Sequence, residues 1–347
     1  MLSARTQNPS SASSSSRART IRTTTRRPTV VLVAASSDVA ATATATAAAA
    51  TATTLDRRAV LLLSAATAAA AASPAQTSPS VDYDPYAATY DGLDGAAPAE
   101  ALGLPDLRRD LLSRARGHVL ELAVGTGLNL PLYDRAAGAG ASAAAGCSGG
   151  LFGPSSSPST PGAPALCSVT GVDLSRGMLD QAARRAEALS ASSDADAPAA
   201  RPLALVSADG DATARDASAG ALDSSVVPLR LVRADAARLP FNDGAFDTSL
   251  DTFSLCVLPD PQAALRELSR VTRVGGKVLL LEHTASDFAP LAAYQRATES
   301  VVAATSKGCA WAQDVVGMVE RTPGLRVKSV QRHLPGGVLV SVEAERV

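Results

Sequence analysis

The chain has almost no lysine, few aromatic residues and next to no net charge. Lysine occurs only at Lys277, Lys307 and Lys328, so arginine carries nearly all the basic charge, a bias of coding rather than of physics. A net charge of −1 over 347 residues gives no electrostatic ground for a nucleic-acid partner or for attraction to an anionic membrane surface. Aromatic residues make up 3% of the chain, so a core has to be built from Val and Leu; the 46% hydrophobic content is inflated by alanine runs. The four cysteines, Cys147, Cys167, Cys256 and Cys309, lack the close pairing of a zinc site or a C-x-x-C motif, and no metal is expected. Cys147 and Cys167 flank a Gly/Ser/Pro-rich loop; a bridge in an oxidising compartment is open, but two free loop thiols are expected. A long apolar run is missing too. Ala59 to Ala72, mostly alanine, falls short of the roughly 20 residues of a spanning helix.

What is present divides the chain. Residues 1–37 hold six arginines, many Ser and Thr and no acidic residue, the composition of a transit peptide, with an ordinary disordered tail as the alternative. Residues 1–56 are therefore expected to be a disordered transit peptide and 57–80 a hydrophobic signal or anchor segment with a linker. Arg57-Arg58 ahead of the apolar run has the form of a bipartite thylakoid presequence. A chloroplast location is expected, thylakoid-associated, with membrane association through the apolar segment as an open case and a mitochondrion as the alternative. Residues 81–347 are left as one domain, long enough to bury a core unaided. Within it, residues near 136–168 and 191–225 are low in complexity and show neither helical nor strand period, so they read as dispensable loop insertions.

With those insertions set aside, short β-branched or Leu-rich runs alternate with amphipathic stretches, which predicts an α/β fold. Strands are predicted at His118 to Ala123, Ser168 to Asp173, Pro228 to Ala234, Phe246 to Leu250 and Lys277 to Glu282. A terminal pair, Leu325 to His333 and Val338 to Val347, is joined by Pro335-Gly336-Gly337, short enough for an antiparallel hairpin. The expectation is a Rossmann-like seven-stranded sheet, mostly parallel with a terminal antiparallel hairpin and helices on both faces.

The strand ends carry the chemistry. In VLELAVGTGLNL, Val119 to Leu130, a strand ends at Glu121 and Leu122, and Ala123, Gly125 and Gly127 make a turn that lets backbone approach a ligand. Alanine suits position 123 only where no positive φ is needed. Asp173 ends the second strand in VTGVDLSRGML, where a carboxylate can accept both hydroxyls of a ribose; the alternative is Ser175 capping the next helix with Asp173 solvated beside it. Asp235-Ala236 follows the third strand in VRADAARLPF. Thr252 and Phe253 follow the fourth. Asp260 to Arg273 has apolar residues at helical spacing, closed by Val274-Gly275-Gly276.

Together these motifs resemble the class I S-adenosylmethionine-dependent methyltransferases, and the block Asp251 to His283 resembles the ubiquinone and menaquinone C-methyltransferases. Leu281-Glu282-His283 and Gly308-Cys309-Ala310-Trp311 make the chain more similar still to organellar, membrane-associated methyltransferase-like proteins and to thiol-methylating relatives. The resemblance covers nearly all of residues 81–347 apart from the insertions. It implies S-adenosyl-L-methionine as the cofactor, bound by Glu121, Ala123, Gly125, Gly127, Asn129, Asp173, Leu174, Met178, Asp235, Ala236, Thr252 and Phe253. It also implies that Tyr90-Asp91 belongs to a lid over the donor; either Tyr90 or Tyr133 can border the sulfonium, with plain packing as the alternative for each.

Methyl transfer from a sulfonium needs alignment and desolvation, and a base only where the acceptor must lose a proton. His283, just past the fifth strand, is the candidate catalytic base, with a structural histidine as the alternative; Glu282 is expected to orient neighbouring backbone or His283. His118 should lie at the wrong end of the sheet, and His333 is a weaker candidate. The function expected is methyl transfer to a small apolar acceptor that is quinone-like, a lipid or a thiol. Its rivals are a methyltransferase-like assembly factor with little or no activity and a nicotinamide-dependent oxidoreductase; Asp235-Ala236 and the hairpin speak against the last.

Overall fold

The computed structural model describes residues 81–93, 96–133, 166–191, 203–207 and 226–347, all within the unit Ala70–Val347. The transit-peptide and signal-segment expectations for residues 1–80, and most of both insertions, lie outside the described residues. Among those described, no helix is long and apolar enough to cross a membrane.

Among the described residues the sheet has eight strands: β1 (Gly117–Leu122), β2 (Leu166–Asp173), β3 (Leu203–Ser207), β4 (Val227–Arg233), β5 (Phe246–Thr252), β6 (Thr272–His283), β7 (Leu325–His333) and β8 (Leu339–Arg346). Their order is β3-β4-β2-β1-β5-β6-β8-β7. The first six run parallel and the terminal hairpin is antiparallel. The hairpin and the mostly parallel sheet match the sequence expectation, but the count of seven is corrected by β3. This edge strand, LALVS, sits inside the segment read as an insertion. It is short, and only one of its faces meets the core, so its pattern carries little periodic signal.

Among the described residues seven α-helices accompany the sheet: α1 (Tyr90–Leu93), α2 (Ala96–Ala101), α3 (Leu104–Leu112), α4 (Arg176–Ala191), α5 (Pro261–Val271), α6 (Ala289–Thr305) and α7 (Val315–Glu320). Alternation along the central strands sorts side chains onto two faces. Leu120 and Leu122 of β1 pack with Leu265 and Leu268 of α5 and Val315 and Val319 of α7. Val119 packs on the other face with Leu111 and Leu112 of α3 and Ala182 and Ala186 of α4. α5 starts where the Asp260 side chain accepts from Ala263 N–H at 2.8 Å, an N-cap that satisfies one orphan donor of the first turn. It stops at Val271, and Val274-Gly275-Gly276 belongs to β6 rather than to a separate closing turn. Gly275 takes φ 76° there, and the pairing of β5 with β6 slips between Phe246 and Thr248.

Candidate functional site

The C-terminal edge of the parallel strands gathers the predicted cofactor residues. After β1 the chain turns through Ala123 (φ 46°), Gly125 (φ 56°) and Gly127 (φ 80°). The condition for an easy fit of alanine at 123 is not met: the turn holds it in the left-handed region, at a cost of about 1–2 kcal/mol for a residue with a Cβ. Gly127 is needed for space as well, since a Cβ there would stand 2.7 Å from Leu130 Cδ1 and 3.2 Å from Ala182 Cα. Asp173 fixes this turn from the next strand. Its Oδ2 accepts from Gly125 N–H and its Oδ1 from Ser175 N–H, both at 2.9 Å. Burial raises its pKa despite those bonds. Ser175 does cap α4, its Oγ accepting from Met178 N–H at 3.1 Å. The alternative reading of this segment holds for the serine, which caps, while the aspartate is half-buried and bonded to the turn rather than simply solvated.

Behind the turn lies a closed polar network. Glu121 is 2% exposed; its Oε1 accepts from Asn129 Nδ2 at 2.9 Å and its Oε2 from Tyr133 Oη at 2.7 Å. Arg108 of α3 donates to Asn129 Oδ1 at 2.9 Å and to Thr252 Oγ1 at 2.8 Å, and its guanidinium lies 4.9 Å from the centre of the Phe253 ring. The network ties β1, β5, α3 and the 3-10 turn Leu130–Leu132 together. Desolvation pushes Glu121 up to about 7 against the hydrogen bonds of Tyr133 and Asn129. Tyr133, buried and bonded to Glu121, fits the plain-packing alternative.

Asp91, in the segment expected to form a lid, meets the same edge. Thr126 Oγ1 donates to Asp91 Oδ1 at 2.6 Å, and Arg185 of α4 pairs with Asp91 and donates to Thr126 O at 3.0 Å. The Tyr90 ring faces Lys307, whose Nζ lies 4.2 Å from its centre, so the cation beside Tyr90 is a lysine. Asp84 reaches across to accept from Gly177 N–H at 2.9 Å and from Ser175 Oγ at 2.5 Å; these bonds hold its carboxyl below the usual range. Leu174 is 57% exposed beside Asp173. Asp235 follows β4, its Oδ1 bound by Ala237 N–H at 2.9 Å, and Ala236 packs on the core.

On the far side of Thr252 the chain takes φ 60° at Phe253, and that ring lies 5.2 Å from the ring of His283 at the end of β6. Glu282 orients backbone, as expected, through Ser254 N–H donating to its Oε1 at 3.1 Å. Asp251 Oδ2 and Glu282 Oε2 are buried with no donor, so a proton held between the two carboxyls satisfies both; burial raises both pKa values, and the charge of Asp251 adds to the rise at Glu282. His283 Nδ1 is 3.7 Å from Cys256 Sγ and 3.7 Å from Cys309 Sγ, and the two sulfurs are 3.1 Å apart. Between these thiols the proton stays on Cys256, while the bonds from Cys256 and His283 draw Cys309 down.

Sequence reasoning missed Arg108, Asp251 and the convergence of Cys256 with Cys309, which stand on a helix, a strand and two connections far apart in the chain. Nothing in the spacing of LPDLRRDLL marks Arg108. Cys167 is disulfide-bonded, which corrects the expectation of a free loop thiol; Cys147 lies outside the described residues. His118, at the opposite end of β1, meets Ser168 Oγ at 2.8 Å and is lowered by burial. His333 Nε2 meets Ser341 Oγ at 2.8 Å within the hairpin. Neither joins the site.

Residues 190–280 match the family model described as a methyltransferase domain. A phosphatidylethanolamine N-methyltransferase of Cereibacter sphaeroides is 27% identical over 232 residues, covering 66% of this chain and 80% of that protein. A demethylmenaquinone methyltransferase of Mycobacterium bovis is 51% identical over 51 residues, or 15% of this chain and 22% of that protein. Among solved structures, geranyl diphosphate C-methyltransferase from Streptomyces coelicolor aligns at 14% identity, with a TM-score of 0.42, over 71% of this chain and 79% of that one. Over residues 190–280 the chain thus matches a methyltransferase domain, and the sheet order and the glycine turn with its strand-end carboxylates are compatible with that match. The match does not reach the turn after β1, which lies before residue 190.

Proposed function

We propose that the protein transfers the methyl group of S-adenosylmethionine to a small, mostly apolar acceptor that is quinone-like, a lipid or a thiol. The observation that carries the reading is the row of strand-end groups, Glu121, Asp173 and Asp235, with the backbone of Gly125 and Gly127 between them. Asp173 offers its unused lone pairs to the ribose hydroxyls, and Asp235 with the backbone of Ala236 meets the adenine. Leu174 and Met178 flank that end. Asn129, Thr252 and Arg108 border the methionine portion, and Phe253 adjoins the sulfonium. The chain then has no covalent step to perform: it aligns acceptor and donor for in-line displacement and keeps water out. His283, beyond Phe253, takes charge of the acceptor's proton.

The names of the Cereibacter and mycobacterial relatives speak of a lipid and of a quinone precursor, both amphipathic acceptors, and support an apolar one here. The leader supports import into a chloroplast, with the methyl donor reaching the domain on the stromal side. The reading is tested by calorimetry of the purified full chain with S-adenosylmethionine and with NAD. Transfer of labelled methyl to a panel of quinols, phospholipids and thiols follows, alongside mass spectrometry of organelle metabolites with and without the protein. Donor binding with no transfer to any class would favour the non-catalytic assembly factor; NAD binding in place of the donor would end the proposal.

A further inference from the structure

Three soft donor atoms converge at the end of β6. Cys256 comes from the turn after β5, His283 from the last position of β6 and Cys309 from the connection after α6. The two sulfurs and a ring nitrogen lie within 4.8 Å of one another. We propose that Cys256 Sγ, His283 Nδ1 and Cys309 Sγ are the three protein ligands of a single Zn²⁺ ion, with a fourth position open to a small donor ligand.

Geometry is the first argument. Zinc holds thiolate sulfur at about 2.3 Å and imidazole nitrogen at about 2.0–2.1 Å, so in a tetrahedral site a sulfur and a nitrogen stand about 3.6 Å apart and two sulfurs about 3.8 Å. His283 Nδ1 is 3.7 Å from each sulfur, equidistant as a shared centre demands. The sulfurs, 3.1 Å apart, need only to open by about 0.7 Å, within reach of small side-chain rotations. A bond between the two cysteines would use two of the donors and leave the equal approach of His283 without a purpose.

The backbone around the three donors is the second argument, because ligands of a metal site have to be held before the ion arrives. Ala310 N–H donates to Cys256 O at 2.7 Å and so locks two of the ligand segments to each other. Cys309 N–H donates to Ser306 O at 3.0 Å, and Val257 N–H to Ser254 O at 2.9 Å. His283 pairs with Leu339 of β8. Lys307 and Gly308 both adopt positive φ, 51° and 87°, which turns the chain back so that Cys309 meets the sheet edge. Burial is the third argument. Cys256 and Cys309 are closed off, whereas His283 is half exposed, so the ion would be walled by protein on the sulfur side and open on the other. Two thiolates, one imidazole and an open position make a set that suits zinc, and three protein ligands with one vacancy are the arrangement of catalytic rather than structural zinc. That opening adjoins Phe253, on the acceptor side of the proposed donor site. A ligand entering the fourth position would be acidified by the ion and release its proton to solvent water, so that His283 would act on the acceptor's proton as a ligand of the ion.

The test uses full-length protein, reduced, loaded with Zn²⁺ and freed of excess metal. One zinc per chain is expected by elemental analysis. Replacement by Co²⁺ should give sulfur-to-cobalt charge transfer in the near ultraviolet and the intense visible bands of a tetrahedral centre. Cys256→Ser, Cys309→Ser and His283→Gln should each lose stoichiometric zinc and alter those bands, while the double variant Cys147→Ser/Cys167→Ser keeps both. Circular dichroism and S-adenosylmethionine affinity in each variant separate a lost ligand from a lost fold, and failure of donor binding in the wild type would leave the zinc result standing by itself. The proposal is overturned if reduced wild type holds no more zinc than Cys256→Ser/Cys309→Ser, if Co²⁺ bands lack the sulfur contribution, or if only Cu⁺ is retained.

Discussion

Replacing Glu121 by Gln should make the protein more stable at neutral and alkaline pH and leave it nearly unchanged in acid. Burial raises Glu121 from its ordinary 4.5 to about 7, so the folded state binds this proton more tightly than the unfolded chain does. The sign follows from that difference. Below pH 4.5 the carboxyl is neutral in both states and costs nothing; as pH rises through about 7 the folded protein loses the advantage of holding the proton. The gap, at about 1.4 kcal/mol per pH unit, amounts to roughly 3 kcal/mol once both states are ionised. Gln keeps the network intact. Its oxygen can accept from Asn129 Nδ2, and its NH₂ can donate to Tyr133 Oη, a hydroxyl that accepts as readily as it donates. Denaturant unfolding of wild type and Glu121→Gln at several pH values from 4.5 to 8.5 isolates the effect, since the Asp251–Glu282 pair, which also titrates upward, is common to both. The stability difference between them should widen by about 3 kcal/mol across that range. A difference constant to within a few tenths of a kcal/mol would refute the buried, protonated carboxyl. The cationic donor should reverse the shift, so binding near pH 7 should release a proton, seen as a buffer-dependent enthalpy in calorimetry.

Ala123→Gly should raise stability by about 0.5–1 kcal/mol, because the residue sits at φ 46° and glycine removes the strain; an unchanged or lowered melting temperature would contradict it. Asp173→Ala should weaken S-adenosylmethionine binding by about 1.5–3 kcal/mol, and unchanged affinity in a folded variant would take Asp173 out of the site. Glu282→Ala, leaving Ser254 N–H and Asp251 without their partner, should cost about 3 kcal/mol in chemical denaturation, and Glu282→Gln much less; equal losses would mean that the shared proton does not matter. His283→Ala should lower turnover by roughly 10²- to 10⁴-fold with donor affinity spared, and full turnover would show that His283 plays no part in handling the acceptor's proton.

The proposed donor half of the site was legible because it is local. Glu121 to Gly127, Asp173 to Met178, Asp235-Ala236 and Thr252-Phe253 each lie within a few residues of a strand end, and strand ends can be read from runs of Val and Leu bounded by turn residues. The hairpin was legible for the same reason, and β7 begins and ends where the pattern put it. β3 was not, because five residues on a sheet edge inside an alanine- and serine-rich segment give no more signal than a loop. The acceptor half was illegible for a different reason. Cys256 and Cys309 are 53 residues apart, and only the parallel pairing of β5 with β6 and the return of the chain after α6 bring them to His283. Arg108 likewise reaches Thr252 across 144 residues, through a helix whose sequence shows only an ordinary amphipathic pattern.

Backbone strain marks the places where local preference and the demands of the site diverge. Four non-glycine residues among those described take a positive φ: Ala123, Phe253, Lys307 and Leu334. Leu334 belongs to the hairpin turn, where the next two positive-φ residues are glycines. The other three are the residue that opens the glycine turn after β1, the residue that follows β5 beside His283, and the residue that swings Cys309 toward the sheet. Each costs on the order of 1–3 kcal/mol, and sheet hydrogen bonding alone does not call for any of them, since a strand can end without a reversal. Their shared effect is to turn the chain sharply at the C-terminal ends of β1, β5 and β6. Strain of that kind persists where the surrounding structure over-determines it. Here the over-determination is visible in Phe253 N–H donating to Leu281 O at 2.9 Å and Val124 N–H donating to Val172 O at 2.9 Å, cross-strand bonds that pin the turns after β5 and β1. Relaxing Phe253 with glycine should therefore cost catalysis more than stability, since the released strain offsets part of the lost packing while the ring that separates the donor from His283 disappears.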